Sequence, residues 1–269
     1  TELLKSVARR VVDRNVLRLI KMWLKAPIEE RDEDGTRRMI GGKGAKRGTL
    51  QGGVASPLLA NIYMNRFLKY WRLSGCGEAF RAHVVAYADD FVILSRGRAA
   101  EALAWTKAAM TKLGLTINEA KTSLKDARKE RFDFLGYSFG PHWFKKNGKW
   151  YLGASPSKKS MQRFKTKVGD MLVPANVAPW EDVCDQLNSM LLGWSHYFSY
   201  GATASAYKHV DWHVYQRVRD FLARRHKVQG RGTVRFSCEV VYGELGLIRL
   251  ERLPRSYTPW AAREASRRA

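Results

Sequence analysis

Residues 84–94 read VVAYADDFVIL: two runs of β-branched, aromatic and small residues either side of adjacent aspartates. Such runs favour extended backbone, and a two-residue interruption between them reads as strand, tight turn, strand. An isolated hairpin is marginal in water, so this segment calls for further strands or helices to cover its apolar side. The aspartates add a second constraint. Neighbouring carboxylates repel, and apolar flanks raise the cost by thinning the solvent around them. Asp is an ordinary turn residue, and both side chains can simply face water. The alternative is a divalent cation. Mg²⁺ binds through one or two carboxylates plus substrate phosphates, and paired ions about 4 Å apart can clamp an in-line phosphoryl transfer.

The rest of the chain supplies the covering elements. Leu3, Leu4, Val7, Val11, Ile20 and Leu24 recur at helical spacing up to about Pro27, and a charged loop is expected next. GGKGAKRGTLQGG, residues 41–53, is glycine-rich enough to form a loop or hairpin whose backbone approaches a ligand closely. Ser56 and Pro57 suit the Ncap and first position of a helix running to about Trp71. Residues 98–113 read as another helix, and 115–125 and 131–139 as strands. This order is α+β.

Past Pro141 the texture changes. A Trp- and Lys-rich hairpin, 142–153, leads into three amphipathic helices. Their stripes are Met161, Phe164, Val168 and Met171; Val183, Leu187, Met190, Leu191, Trp194 and Phe198; and Tyr207, Val210, Val214, Val218 and Phe221. The boundary between two domains is expected near 140 to 155, giving 1–140 and 141–269.

Charge narrows the partner. Lys and Arg number 48 against 25 Asp and Glu, a net +23 in 269 residues. Both halves share the excess, with 26 basic and 15 acidic residues in 1–140 and 22 and 10 in 141–269. That is the electrostatic footprint of a phosphate-backbone partner. No apolar stretch approaches the ~20 residues of a membrane span. Cys76, Cys184 and Cys238 are too far apart for a CxxC pair and fit a reducing, cytoplasmic compartment. GGKGAKRGT matches neither phosphate-loop spacing. His209 and His213 stand i, i+4, with no HExxH glutamate to support zinc.

YADD at 87–90, QGGVASPLLANIYM at 51–64, GLTINEAKT at 114–122 and FDFLGYSF at 132–139 together resemble reverse transcriptases of the group II intron type, and LNSMLLGWSHYF at 187–198 is similar to their maturase-specific thumb. The resemblance implies the later part of a right-hand polymerase palm, an antiparallel sheet with helices, followed by a mostly helical thumb. It implies RNA-directed DNA synthesis with Mg²⁺, a DNA primer, an RNA template and a deoxynucleoside triphosphate, together with binding of intron RNA for splicing. Asp89 and Asp90 match the metal-binding motif, with Tyr87 and Ala88 shaping the adjoining substrate contact. Gln51, Gly52, Gly53, Ser56, Pro57 and Asn61 match the motif that meets the incoming nucleotide and its template. Lys121 matches the lysine that protonates or neutralises the leaving pyrophosphate. Phe134, Leu135, Gly136 and Tyr137, with Phe132, match the primer grip, where the glycine lets a primer backbone pass. Lys158, Lys159, Arg163, Lys165 and Lys167 are candidates for nucleic-acid backbone contact. Trp194, His196, Tyr197, Phe198 and Tyr200 are aromatic enough to stack bases, although Trp194 and Phe198 fall on an apolar stripe.

One family motif has no counterpart: a strand that ends in the other metal-binding aspartate. The acidic residues before Gln51 are Glu2, Asp13 and the cluster from Glu29 to Asp34, none after a strand-like run. Residues 1–25 resemble the helix following that motif, which places the aspartate before Thr1. Either the chain is a segment of a longer polymerase, the reading a palm sheet short of one strand favours, or it is a reduced protein that binds RNA without catalysis. On the first reading it is expected not to polymerise alone. Reverse transcriptases of diversity-generating, CRISPR-linked or phage-defence type share the palm but not usually this thumb signature.

Overall fold

The structure, a computed structural model, describes residues 2–31, 37–41, 54–144 and 147–253. The chain forms two compact units, residues 1–124 and 125–269. Gln51, Gly52 and Gly53, the rest of the glycine-rich stretch from 42 onward, and the tail after 253 lie outside the described residues.

In the first unit the expected N-terminal helix arrives as two, α1 (Glu2–Val7) and α2 (Arg14–Trp23). Asp13 explains the restart: its carboxylate accepts from Asn15 N at 2.7 Å and Val16 N at 3.3 Å, capping α2. Val7 and Ile20 are buried with Leu59. Where the sequence suggests a charged loop, β1 (Pro27–Arg31) and β2 (Arg37–Gly41) pair antiparallel, Ile28 opposite Ile40. Their many charges mask the alternation by which strands are recognised.

Helix α3 (Ser56–Leu73) starts one residue earlier than expected. Ala55 is its cap residue without a side-chain bond, and Pro57 sits in the first turn, where its missing N–H costs nothing. A short α4 (Cys76–Ala79) leads into β3 (Ala82–Tyr87) and β4 (Asp90–Ser95), and α5 (Ala99–Lys112) follows. One hairpin face, with Val84, Phe91 and Ile93, packs on a core of Phe67, Trp71, Ala102, Ala109 and Met110. Aromatic rings dominate it: Phe67 lies 5.4 Å from Phe91 and Trp71 edge-on to Trp105 at 5.4 Å, centroid to centroid. Residues 115–125 are not the strand expected. Gly114 turns the chain at φ +70, and the Asn118 carboxamide oxygen accepts from Ala120 N and Lys121 N, closing a local turn in place of a ladder.

The second unit begins upstream of the boundary expected near 140 to 155. Its sheet is continuous across that point: β5 (Phe132–Phe134), β6 (Tyr137–Phe144) and β7 (Lys149–Pro156) pair antiparallel in that order. Ser157 caps α6 (Lys158–Met171) by accepting from Ser160 N at 3.1 Å. Helices α7 (Trp180–Tyr197) and α8 (Ala204–Arg225) complete the unit. Phe164, Val168, Leu187, Leu191, Val210, Val214 and Val218 meet in one core, so the three stripes read from the sequence do converge. At about 25 cal/mol per Å² of apolar surface, each such side chain contributes roughly 1.5–3 kcal/mol.

Two polar devices finish this core. The buried Asp211 carboxylate on α8 accepts from Leu250 N and Glu251 N, each at 2.9 Å, tying a 3₁₀ turn at Leu250–Arg252 to the helix. Burial pushes its carboxyl above the ordinary range despite those two bonds. Arginines, meanwhile, serve main-chain carbonyls. Arg217 donates to Gly169 O in the last turn of α6, Arg225 to Val177 O and Ala178 O, and Arg131 to Pro141 O.

Candidate functional site

Hairpin β3–β4 is in register from Ala82 opposite Ser95 to Tyr87 opposite Asp90. The turn is therefore Ala88–Asp89, and Asp90 opens the second strand, one residue from the position the DD pair suggested. Ala88 holds φ +53, a left-handed conformation that turns of this size demand and that alanine adopts at a cost. Both aspartates are exposed. Among the described residues, neither carboxylate has a hydrogen-bond or ion-pair partner within the protein. Since opposite residues share a face, Asp90 lies with Tyr87, Val85, Val92 and Leu94, on the side away from the core. Tyr87 is 65% exposed. In a chain of net +23, two unpaired carboxylates at an open tip form a local negative point with hard oxygen donors, and that donor set fits Mg²⁺.

Of the nucleotide-binding candidates, Ser56, Pro57 and Asn61 occupy the first two turns of α3, where Asn61 is exposed. Lys121 is exposed within the Asn118 turn, while Lys107 pairs with the nearby Glu119 at 2.8 Å. The described residues hold no cluster of three or more His, Cys, Asp or Glu suited to a metal. His209 is exposed and bonded to Ser205 O, and Lys165 and Arg217 bear on His213, a positive setting unsuited to zinc.

The Phe134–Tyr137 segment is a second two-residue turn. Phe134 pairs with Tyr137, and Leu135 and Gly136 both take positive φ, +49 and +78. Both carbonyls of the turn are engaged by helices of the same unit. Tyr197 Oη donates to Leu135 O at 2.8 Å, and Ser160 Oγ and Ser157 N each donate to Gly136 O at 2.9 Å. Tyr137 Oη returns a bond of 2.6 Å to Tyr197 O. A Cβ on Gly136 would meet Ser160 Oγ at 2.9 Å and the Phe198 ring at 3.2 Å. The glycine thus makes room for the protein's own helices. Tyr197, considered for base stacking, spends its hydroxyl on this clasp. Trp194 and Phe198 are buried, as their stripe implied.

On α6, Lys158, Lys159, Arg163 and Lys167 are exposed, while Phe164 and Val168 are buried. Lys165 departs from the group: it is half-buried and bears on His213. Among the described residues no helix is long and apolar enough to cross a membrane.

Comparison with protein families settles the lineage. The family described as Reverse transcriptase (RNA-dependent DNA polymerase) matches residues 1–139, more than half of the chain. The chain belongs to this reverse transcriptase family. Residues 161–237 match the Group II intron, maturase-specific domain, which spans most of α6, α7 and α8 and marks a group II intron reverse transcriptase and maturase. A search of curated proteins returned no match. Reverse transcriptases are nucleotidyltransferases that act on nucleic acid with divalent metal.

Proposed function

We propose that the β3–β4 tip is the metal-binding part of an RNA-directed DNA polymerase site, with Asp89 and Asp90 as the carboxylates that hold Mg²⁺. The observation that carries this reading is the pair of open carboxylates, unpaired among the described residues, on a hairpin whose other face is fixed to an aromatic core. Bound Mg²⁺ would supply charge stabilisation to an in-line displacement of pyrophosphate by a primer 3′-hydroxyl. The chain's own residues position the partners. Val84, Phe91 and Ile93 anchor the hairpin, so the tip cannot tilt without opening the core. Tyr87 and Ala88 border the carboxylates, and Lys121 offers a cation to the pyrophosphate. The exposed cations of α6 hold nucleic-acid backbone, and in the maturase role this face takes intron RNA.

Primer extension on an RNA template, using the protein encoded by the whole gene and Mg²⁺, tests the reading. DNA product that disappears with Asp89→Ala is expected. Product unaffected by that change would overturn it.

A further inference from the structure

We propose that the tip of the β6–β7 hairpin is a stacking platform for an unpaired base of RNA, built from Trp143 and Trp150. Trp143 stands opposite Trp150 in the strand register, so both rings emerge on the same face. Their centroids are 5.4 Å apart with the planes at 61°, an edge-to-face pair that braces the rings without covering both of their faces. They are 49% and 67% exposed, and Leu152 extends the patch at 54%. Toward the base of the hairpin the same face closes, with Ala154 and Pro156 buried. On the opposite face His142 is buried, its Nδ1 bonded to Gly140 O at 3.0 Å, and its ring lies 5.8 Å from that of Tyr151. The tryptophans are thus the exposed end of an otherwise packed hairpin, where burial would be the ordinary fate of such rings.

Charge chooses the occupant. The sequence between the two tryptophans is FKKNGK, three lysines and no acid in six residues. A protein surface seated here would have to offer both an apolar socket and a cluster of acids. A single-stranded polynucleotide offers a π-face and a phosphate at every step, which is the combination that aromatic platforms flanked by cations bind. Duplex hides its base faces and cannot use the rings.

This inference rests on the RNA-binding reading above, and the experiment separates the two. Anisotropy titrations with the full chain would use a short fluorescein-labelled oligouridylate, a matched RNA duplex and a matched deoxyribo-oligonucleotide across a salt series. The variant Trp143→Ala/Trp150→Ala is expected to lose about tenfold or more in affinity for the single-stranded RNA, with duplex binding unchanged. Trp150→Phe should retain most of the affinity. Lys149→Gln should shallow the salt dependence by about one phosphate contact. Single-strand binding equal to that of the parent chain, an equal loss on duplex, or a Trp150→Phe variant as weak as Trp150→Ala would each overturn the platform. A loss confined to the deoxyribo-oligonucleotide would overturn its assignment to RNA, and disrupted self-association with RNA binding intact would make it a protein interface. Failure of the parent chain to bind any of the oligonucleotides would remove the RNA-binding reading as well.

Discussion

Two tight turns in this protein share a backbone device and differ in everything around it. Ala88–Asp89 and Leu135–Gly136 each join antiparallel strands through two residues, the first of them left-handed. The first turn projects into solvent with its carboxylates unpaired among the described residues. The second is closed by Tyr197, Ser160 and Ser157, which between them take up both of its carbonyls. Turn geometry therefore does not decide use. An open tip leaves its carboxylates accessible from outside, whereas a clasped one reports the position of the helices that hold it.

The largest expected effect breaks the open side of this comparison. Asp89→Ala should lower primer extension by the protein of the whole gene roughly 10²-fold or more, the equivalent of several kcal/mol of lost charge stabilisation. Its urea midpoint should barely move, because the side chain holds nothing in place. Exchanging the turn residues comes next. Gly136→Ala pushes a methyl group against Ser160 and Phe198 in a left-handed conformation and should cost about 2–4 kcal/mol in chemical denaturation. Ala88→Gly relieves the same conformation and should gain up to about 1 kcal/mol. Equal responses would mean that the clasp contributes nothing. Tyr197→Phe removes one bond of the clasp and should cost about 1 kcal/mol, against no measurable change for Tyr87→Phe on the open hairpin.

Acid should produce the smallest effect, and on the clasped unit. Burial lowers the pKa of His142 and of His213, so folding favours their neutral forms. Their contribution is complete above the ordinary imidazole value of about 6.5 and is lost as pH falls through it toward the lowered folded values. Melting curves between neutral and mildly acidic pH should show this decline. In the His142→Gln/His213→Gln variant it should disappear, leaving the opposite trend of Asp211, whose raised pKa adds stability as pH falls further.

Periodicity in the sequence encodes most of the fold legibly. The stripes of α6, α7 and α8 are legible because each helix buries one face locally defined by spacing of three and four, and VVAYADDFVIL is legible to within one residue of its turn. Strand pairing through charged residues, as in β1 and β2, left no alternation to read. Residues 115–125 misled for the reverse reason: apolar enough for a strand, they are diverted by the Asn118 side chain. The clasp was out of reach because Tyr197 finds Leu135 across 62 positions. Asp211 did leave a signal, a carboxylate beside Val210 on an apolar stripe, which only a buried partner can justify.

The arginines that donate to main-chain carbonyls have a consequence for how such a chain can change over generations. Arg131, Arg217 and Arg225 hold the fold and supply positive potential with the same guanidinium. Selection cannot shed that charge without also releasing a helix end or a strand. Lysines such as Lys158, Lys159 and Lys167, exposed on their helix, hold no main-chain carbonyl among the described residues. Drift in affinity for nucleic acid has its freest material there, and lineages that bind more weakly should have exchanged lysines long before arginines.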